Sequence, residues 1–152
     1  MSFIDTLDIN EMIQDCICKT QANIYSYANN HGYDMQVFSK KYLASDFCNT
    51  EMDAEYSVYQ MADVEECMDF INEEISVPTI NEVQYNEDAI WWIGYIYRAL
   101  HLYSKLSSKE LGEKIPFQNM LYYYLGLSME DYSMALDIIA EDFLGKERPK
   151  IG

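Results

Sequence analysis

Ala89-Ile90-Trp91-Trp92-Ile93-Gly94-Tyr95-Ile96-Tyr97-Arg98-Ala99-Leu100-His101-Leu102-Tyr103 is apolar on nearly every side of a helical wheel. A helix of that kind is buried by its neighbours on all faces, so the run predicts a central core helix and a mainly α fold around it. The run is too short, and too polar at Arg98 and His101, to span a bilayer. Trp91 and Trp92 point in different directions on a helix, so at most one of them sits deep in the core. Just before the run, Asn86 can cap the helix, and Glu87 and Asp88 suit its positive N-terminus.

Working outward, Ser76 to Tyr85 reads as a loop around Pro78, with one short extended piece. Before it, Asp63 to Ile75 divides cleanly on a helical wheel. Val64, Met68, Ile71 and Ile75, with Cys67 beside them, fall on one side, and Glu65, Glu66, Asp69 and Glu73 on the other. Phe70 lies at the edge of the acidic side. Glu55 to Gln60 fits helix or a short strand, and Cys48 to Ala54 gives mixed signals. Met35 to about Phe47 predicts a helix with Val37, Phe38, Tyr42 and Leu43 inward. The first helix is expected to begin at Asp8, where Asp8-Ile9-Asn10-Glu11 resembles a capping box, and to stop at Gly32. Its inward set is Ile9, Met12, Ile13, Cys16, Ile17, Ile24 and Ala28.

Beyond the central run, Ser107-Ser108-Lys109-Glu110 restarts a short helix that ends near Pro116. Phe117 to Leu125 predicts another. Ser128-Met129-Glu130-Asp131 reads as a further cap, followed by a stripe of Tyr132, Ala135, Leu136, Ile139 and Phe143, with Gly145 closing it. The whole is a compact single-domain helical bundle of about five to seven helices over residues 1–145, with 146–152 a polar tail expected to be mobile.

The 152 residues carry 26 acidic and 10 basic side chains, a net charge of -16. That balance argues against a nucleic-acid binder, which needs cations to displace counterions from phosphates, and against docking on anionic lipid. It favours solubility, or a basic partner drawn in by long-range attraction.

The acids are not evenly spread. From Tyr42 to Tyr97 there is no Lys or Arg, while Asp46, Glu51, Asp53, Glu55, Asp63, Glu65, Glu66, Asp69, Glu73, Glu74, Glu82, Glu87 and Asp88 supply half of the acid total. Like charges at i,i+4, as in Glu65-Asp69-Glu73, each cost a helix roughly 0.2–0.5 kcal/mol that alternating Glu with Lys would recover. One reading is a surface built to meet a basic partner; the other is a solvated face in an acidic chain. Tyr56, Tyr59, Phe70 and Tyr85 are interleaved with these acids, and an acid rim around aromatic anchors suits an Arg- or Lys-rich surface. The candidate partner-binding residues are therefore Glu55, Tyr59, Asp63, Glu65, Glu66, Asp69, Phe70, Glu73 and Glu74.

Catalytic patterns are lacking. No G-x-S-x-G, phosphate-binding Gly-rich loop, H-E-x-x-H or deaminase signature is present, and Glu66-x-x-Asp69 has no His to make a di-metal site. Arg98 is expected to pair with a carboxylate from a neighbouring helix; a small active site near Arg98 and His101 is the enzymatic alternative. Cys16, Cys18, Cys48 and Cys67 do not have metal-ligand spacing, and His31 and His101 are isolated, so no metal or cofactor is expected. Met1 to Asn10 lacks the basic start of a signal peptide, and the expected compartment is the cytosol, with thiols reduced.

Trp91-Trp92-Ile93-Gly94-Tyr95-Ile96-Tyr97-Arg98, followed by Ser107-Ser108-Lys109-Glu110, resembles small acidic helical proteins of bacterial toxin–antitoxin-like or mobile-element settings. The resemblance covers roughly the C-terminal half and brings no catalytic motif and no functional residue. It implies a small bacterial or phage protein that neutralises a partner. The expected function is thus an acidic inhibitor that occludes the positive surface of a toxin or a nucleic-acid-handling defence enzyme, such as a CRISPR nuclease. The other alternative is a helical structural subunit.

Overall fold

A computed structural model describes residues 9–143 and 145; the expected cap at Asp8 and the tail 146–152 lie outside the described residues. Among these residues the chain forms seven α-helices: α1 (Ile9–Asn30), α2 (Met35–Ala44), α3 (Val64–Glu74), α4 (Glu87–Ser104), α5 (Ser108–Lys114), α6 (Phe117–Leu127) and α7 (Tyr132–Phe143). A π-turn, Phe47–Met52, and a 3₁₀ turn, Val58–Met61, lie between α2 and α3. No helix among the described residues is long and apolar enough to cross a membrane.

The bundle is organised around α4. Ile90 and the continuous run from Trp92 to Leu100 are buried, while Trp91 is only half-buried. Asn86 accepts from the backbone N–H groups of Asp88 and Ala89 and so starts the helix. α1 packs along α4 at very close range. A Cβ on Gly94 would lie 2.9 Å from Ala22 Cα and from Gln21 O, so no larger residue fits without moving backbone. The Gln21 amide then donates to Gly94 O at 3.0 Å, fixing the two helices in register.

α2 lies against α5, and α6 and α7 cover other parts of α4. The loop between α3 and α4 is tied down by backbone pairing. Asp34 N donates to Pro78 O at 2.9 Å and Ile80 N to Gly32 O at 2.6 Å, around one bridge between Tyr33 and Thr79. Gly32, at φ +76°, ends the first helical segment, and a Cβ there would press on Asn81 N at 3.0 Å. Asn29 grips the far end of the loop, donating to Tyr85 O and accepting from Tyr85 N.

Three expectations need correction. Met12, Ile13 and Cys16 are exposed, because no described residue covers the first turns of α1; its buried face begins at Ile17. α2 stops at Ala44 instead of near Phe47. Ser45 turns extended, its hydroxyl donates to Tyr42 O at 2.6 Å, and the π-turn follows. α7 starts at Tyr132, not after Ser128. Asp131 accepts from Met134 N at 2.8 Å and is the effective cap, whereas Ser128 closes α6.

Candidate functional site

α3 places its side chains as the wheel requires. Asp63 caps it by accepting from Glu66 N at 3.0 Å, and Cys67, Met68 and Ile71 are buried. Glu65, Glu66, Asp69 and Glu73 are all exposed on the opposite side. Glu73 and Glu74 sit in the last turn, where the helix dipole disfavours an anion and where no basic residue relieves them. Glu74 is compensated. Its two oxygens accept from Asp46 N at 2.6 Å and Phe47 N at 2.8 Å, so it caps the π-turn. Glu73 has no such contact among the described residues.

Phe70 is 38% exposed and belongs to a three-ring cluster with Phe47 and Tyr59, whose centroids are 5.2–5.4 Å apart. Phe47 is the buried member, Tyr59 is half-buried and Phe70 is the outer one. The segment leading into α3 is more apolar on its surface than the sequence suggests. Tyr56 is 81% exposed and Val58 80% exposed, with Met61 also outside. Single exposed apolar residues need no explanation, but Tyr56, Val58, Met61 and Phe70 all fall within one acid-rich stretch. Glu55 is exposed beside Tyr56. Sequence reading did not single out Val58 and Met61; a short 3₁₀ turn has no amphipathic period to reveal which side faces out.

Of the thirteen acids between Tyr42 and Tyr97, only Asp53 pairs with an Arg or Lys among the described residues. Its partner is Arg98; the expected ion pair forms, but its carboxylate comes from the bend after the π-turn and not from a neighbouring helix. Arg98 is 0% exposed. Its Nη1 donates to Asp53 Oδ1 at 2.5 Å, and its Nε and Nη2 donate to Gln21 Oε1 at 3.1 and 2.8 Å. Nη2 also reaches Ser108 Oγ at 2.9 Å and Cys48 Sγ at 3.1 Å. Asp53 in turn accepts from Ser108 N at 2.8 Å and Ser108 Oγ at 2.5 Å, and Tyr42 Oη donates to Gln21 Oε1 at 2.9 Å. Burial pushes the Asp53 carboxyl up, but the guanidinium and the hydrogen bonds from Arg98 and Ser108 outweigh it and hold it below the usual range. The Cys48 thiol is pushed up by burial, against the pull of Arg98, and is inert as a nucleophile.

This network is a polar keystone. It pins the π-turn, α1, α4 and the start of α5 together, with each guanidinium nitrogen hydrogen-bonded to protein. His101 lies on its outer side. Its Nδ1 is 2.6 Å from Leu106 O and 3.6 Å from Asp53 Oδ1. Burial, followed by the repulsion of Arg98, lowers its pKa. Asp53, His101, Glu55, Tyr56, Gln60 and Lys105 border a cleft of about 450 Å³. Arg98 itself is sealed from that cleft, so an active site would have to work without the cation on which the enzymatic alternative rested. Among the described residues no group of His, Cys, Asp or Glu is arranged to hold a metal ion.

Comparisons with protein-family models, with curated proteins and with solved structures returned no match.

Proposed function

We propose that the protein is an acidic interaction protein that binds and inhibits a basic, nucleic-acid-handling partner through the exposed face of α3 and the apolar segment before it. One observation carries this reading: Glu65, Glu66, Asp69 and Glu73 share an exposed face, and among the described residues no Lys or Arg pairs with any of them. Carboxylates at that density stand in for phosphates, and Tyr56, Val58, Met61 and Phe70 supply apolar area that a partner could desolvate. An antitoxin or a phage-encoded inhibitor of a defence nuclease such as an anti-CRISPR is the biological role that suits it. The reading places the protein in the cytosol, in keeping with four free cysteines.

The test is capture on immobilised protein from the cells that make it, in parallel with a Glu65→Lys/Asp69→Lys/Glu73→Lys variant. A basic protein should be retained by the native chain, released by salt and missing from the variant, while the variant keeps its helical circular dichroism. Retention that is equal on both, or indifferent to salt, would refute the carboxylate mechanism. An enzyme near Arg98 and His101, and a purely structural helical subunit, are the competing readings; the sealed guanidinium weighs against the first.

A further inference from the structure

Among the described residues, the lysines of this acidic chain are concentrated on α2 and α5. Of the six described lysines, Lys40 and Lys41 lie on α2, and Lys109 and Lys114 on α5, the helix packed against it. Lys41 Nζ is used internally, donating to Ser76 O at 2.6 Å. Lys40 and Lys109 have no ion pair or hydrogen bond from their ammonium groups among the described residues, although the chain holds acids in large excess. Both border one cleft of about 480 Å³ between α2, α5 and α6, within the roughly 300–1,000 Å³ of small-molecule sites.

The lining of that cleft is mostly carbon. Pro116 is its exposed apolar edge, and the almost fully buried Leu43, Tyr97 and Phe117 form its floor. The polar groups nearby satisfy one another: Tyr97 Oη donates to Ile115 O at 2.5 Å, the Ser39 hydroxyl pairs with Tyr25 Oη at 2.7 Å, and Gln36 donates to Gln118 across the rim at 3.0 Å. The ammonium groups of the exposed Lys40 and Lys109 are left without a protein partner among the described residues. Glu113, on α5, also borders the cleft and opposes a second negative charge. The net charge of -16 repels anions at long range, but at physiological salt that repulsion is screened over about 8 Å, whereas contact with Lys40 and Lys109 lies within that distance.

From this geometry we propose that the α2–α5–α6 cleft binds a small monoanionic amphiphile, an organic carboxylate with a flat or chain-like apolar body. The body lies against Leu43, Tyr97 and Phe117 and the carboxylate sits between Lys40 and Lys109. The site is separate from the α3 face and does not depend on the inhibitory role proposed above.

The probe is sodium 2-naphthoate, titrated calorimetrically into the full chain at physiological salt, with 2-naphthylmethanol as its neutral counterpart. Naphthoate should saturate one site, with amide shifts at Leu43, Gly112 and Phe117 and none at Ile17 or His101. The alcohol should bind at least tenfold more weakly. A Lys40→Gln/Lys109→Gln variant, altered only at exposed positions, should melt like the native chain and lose naphthoate affinity at least tenfold, with the alcohol unaffected. Absence of saturable naphthoate binding at millimolar concentration overturns the proposal. So does binding that maps to the Asp53 cleft, or that is unchanged in the lysine variant.

Discussion

Arg98 and Asp53 show what one buried charge demands of its surroundings. Taking a guanidinium out of water costs several kcal/mol, and the loss is offset here by a carboxylate and a thiol from the π-turn and its end, an amide oxygen from α1 and a hydroxyl from α5. Removing one partner leaves the other charged, buried and unpaired. Asp53→Ala should therefore lower stability by about 3–5 kcal/mol, read from urea unfolding. The same pair sets an acid limit. An unfolded Asp titrates near about 3.9, and Asp53 titrates lower when folded, so the unfolded chain takes up the proton first. Its stabilisation is full above that unfolded value and is lost as pH falls through the lower folded one; Asp53→Asn should flatten this part of the acid unfolding curve. His101 follows the same sign. Its folded pKa lies below the ordinary value of about 6.5, so the folded state favours the neutral ring. That stabilisation is complete above about 6.5 and disappears as pH drops through the folded value. An NMR titration should place the His101 midpoint below about 6.5.

At the scale of the element, α3 gives up stability along its outer face. Glu65, Asp69 and Glu73 follow one another at i,i+4, and Asp69→Lys would turn two repulsive pairs into two attractive ones. The gain should be roughly 1 kcal/mol at low salt, measured by chemical unfolding. A stabilising substitution that weakens capture of the partner would mark the face as kept for binding. Close packing predicts the opposite at Gly94: Ala there meets the α1 backbone, and Gly94→Ala should destabilise by about 1–3 kcal/mol. α3 was legible in the sequence because its apolar residues recur at the helical period, and α4 because its run is apolar on nearly every side and Asn86 announces its start. The π-turn was not, since one extra residue per turn breaks that period over Cys48–Ala54. Nor could spacing show that Met12 and Ile13 lie outside, because no local pattern says which apolar residue a distant element will cover. Among thirteen acids, nothing local marked Asp53 as the partner of Arg98, and Glu74 as a cap for the π-turn was equally hidden.

For the whole molecule, charge is the organising asymmetry. Carboxylates dominate α3 and its approach, while four of the six described lysines gather on α2 and α5. Self-repulsion at a net charge of -16 should make the fold more stable as salt rises, with the melting temperature climbing between low and moderate sodium chloride. A falling melting temperature would mean that attractive pairs outweigh the repulsion. The same salt must weaken a complex held by the anionic face, so stability and binding should move in opposite directions. The central claim is that this face recognises a basic protein, and capture by native chain against the Glu65→Lys/Asp69→Lys/Glu73→Lys variant tests it most directly. The account predicts a basic protein held by the first, released by salt and lost by the second. The same proteins held by both, whatever the salt, would contradict it.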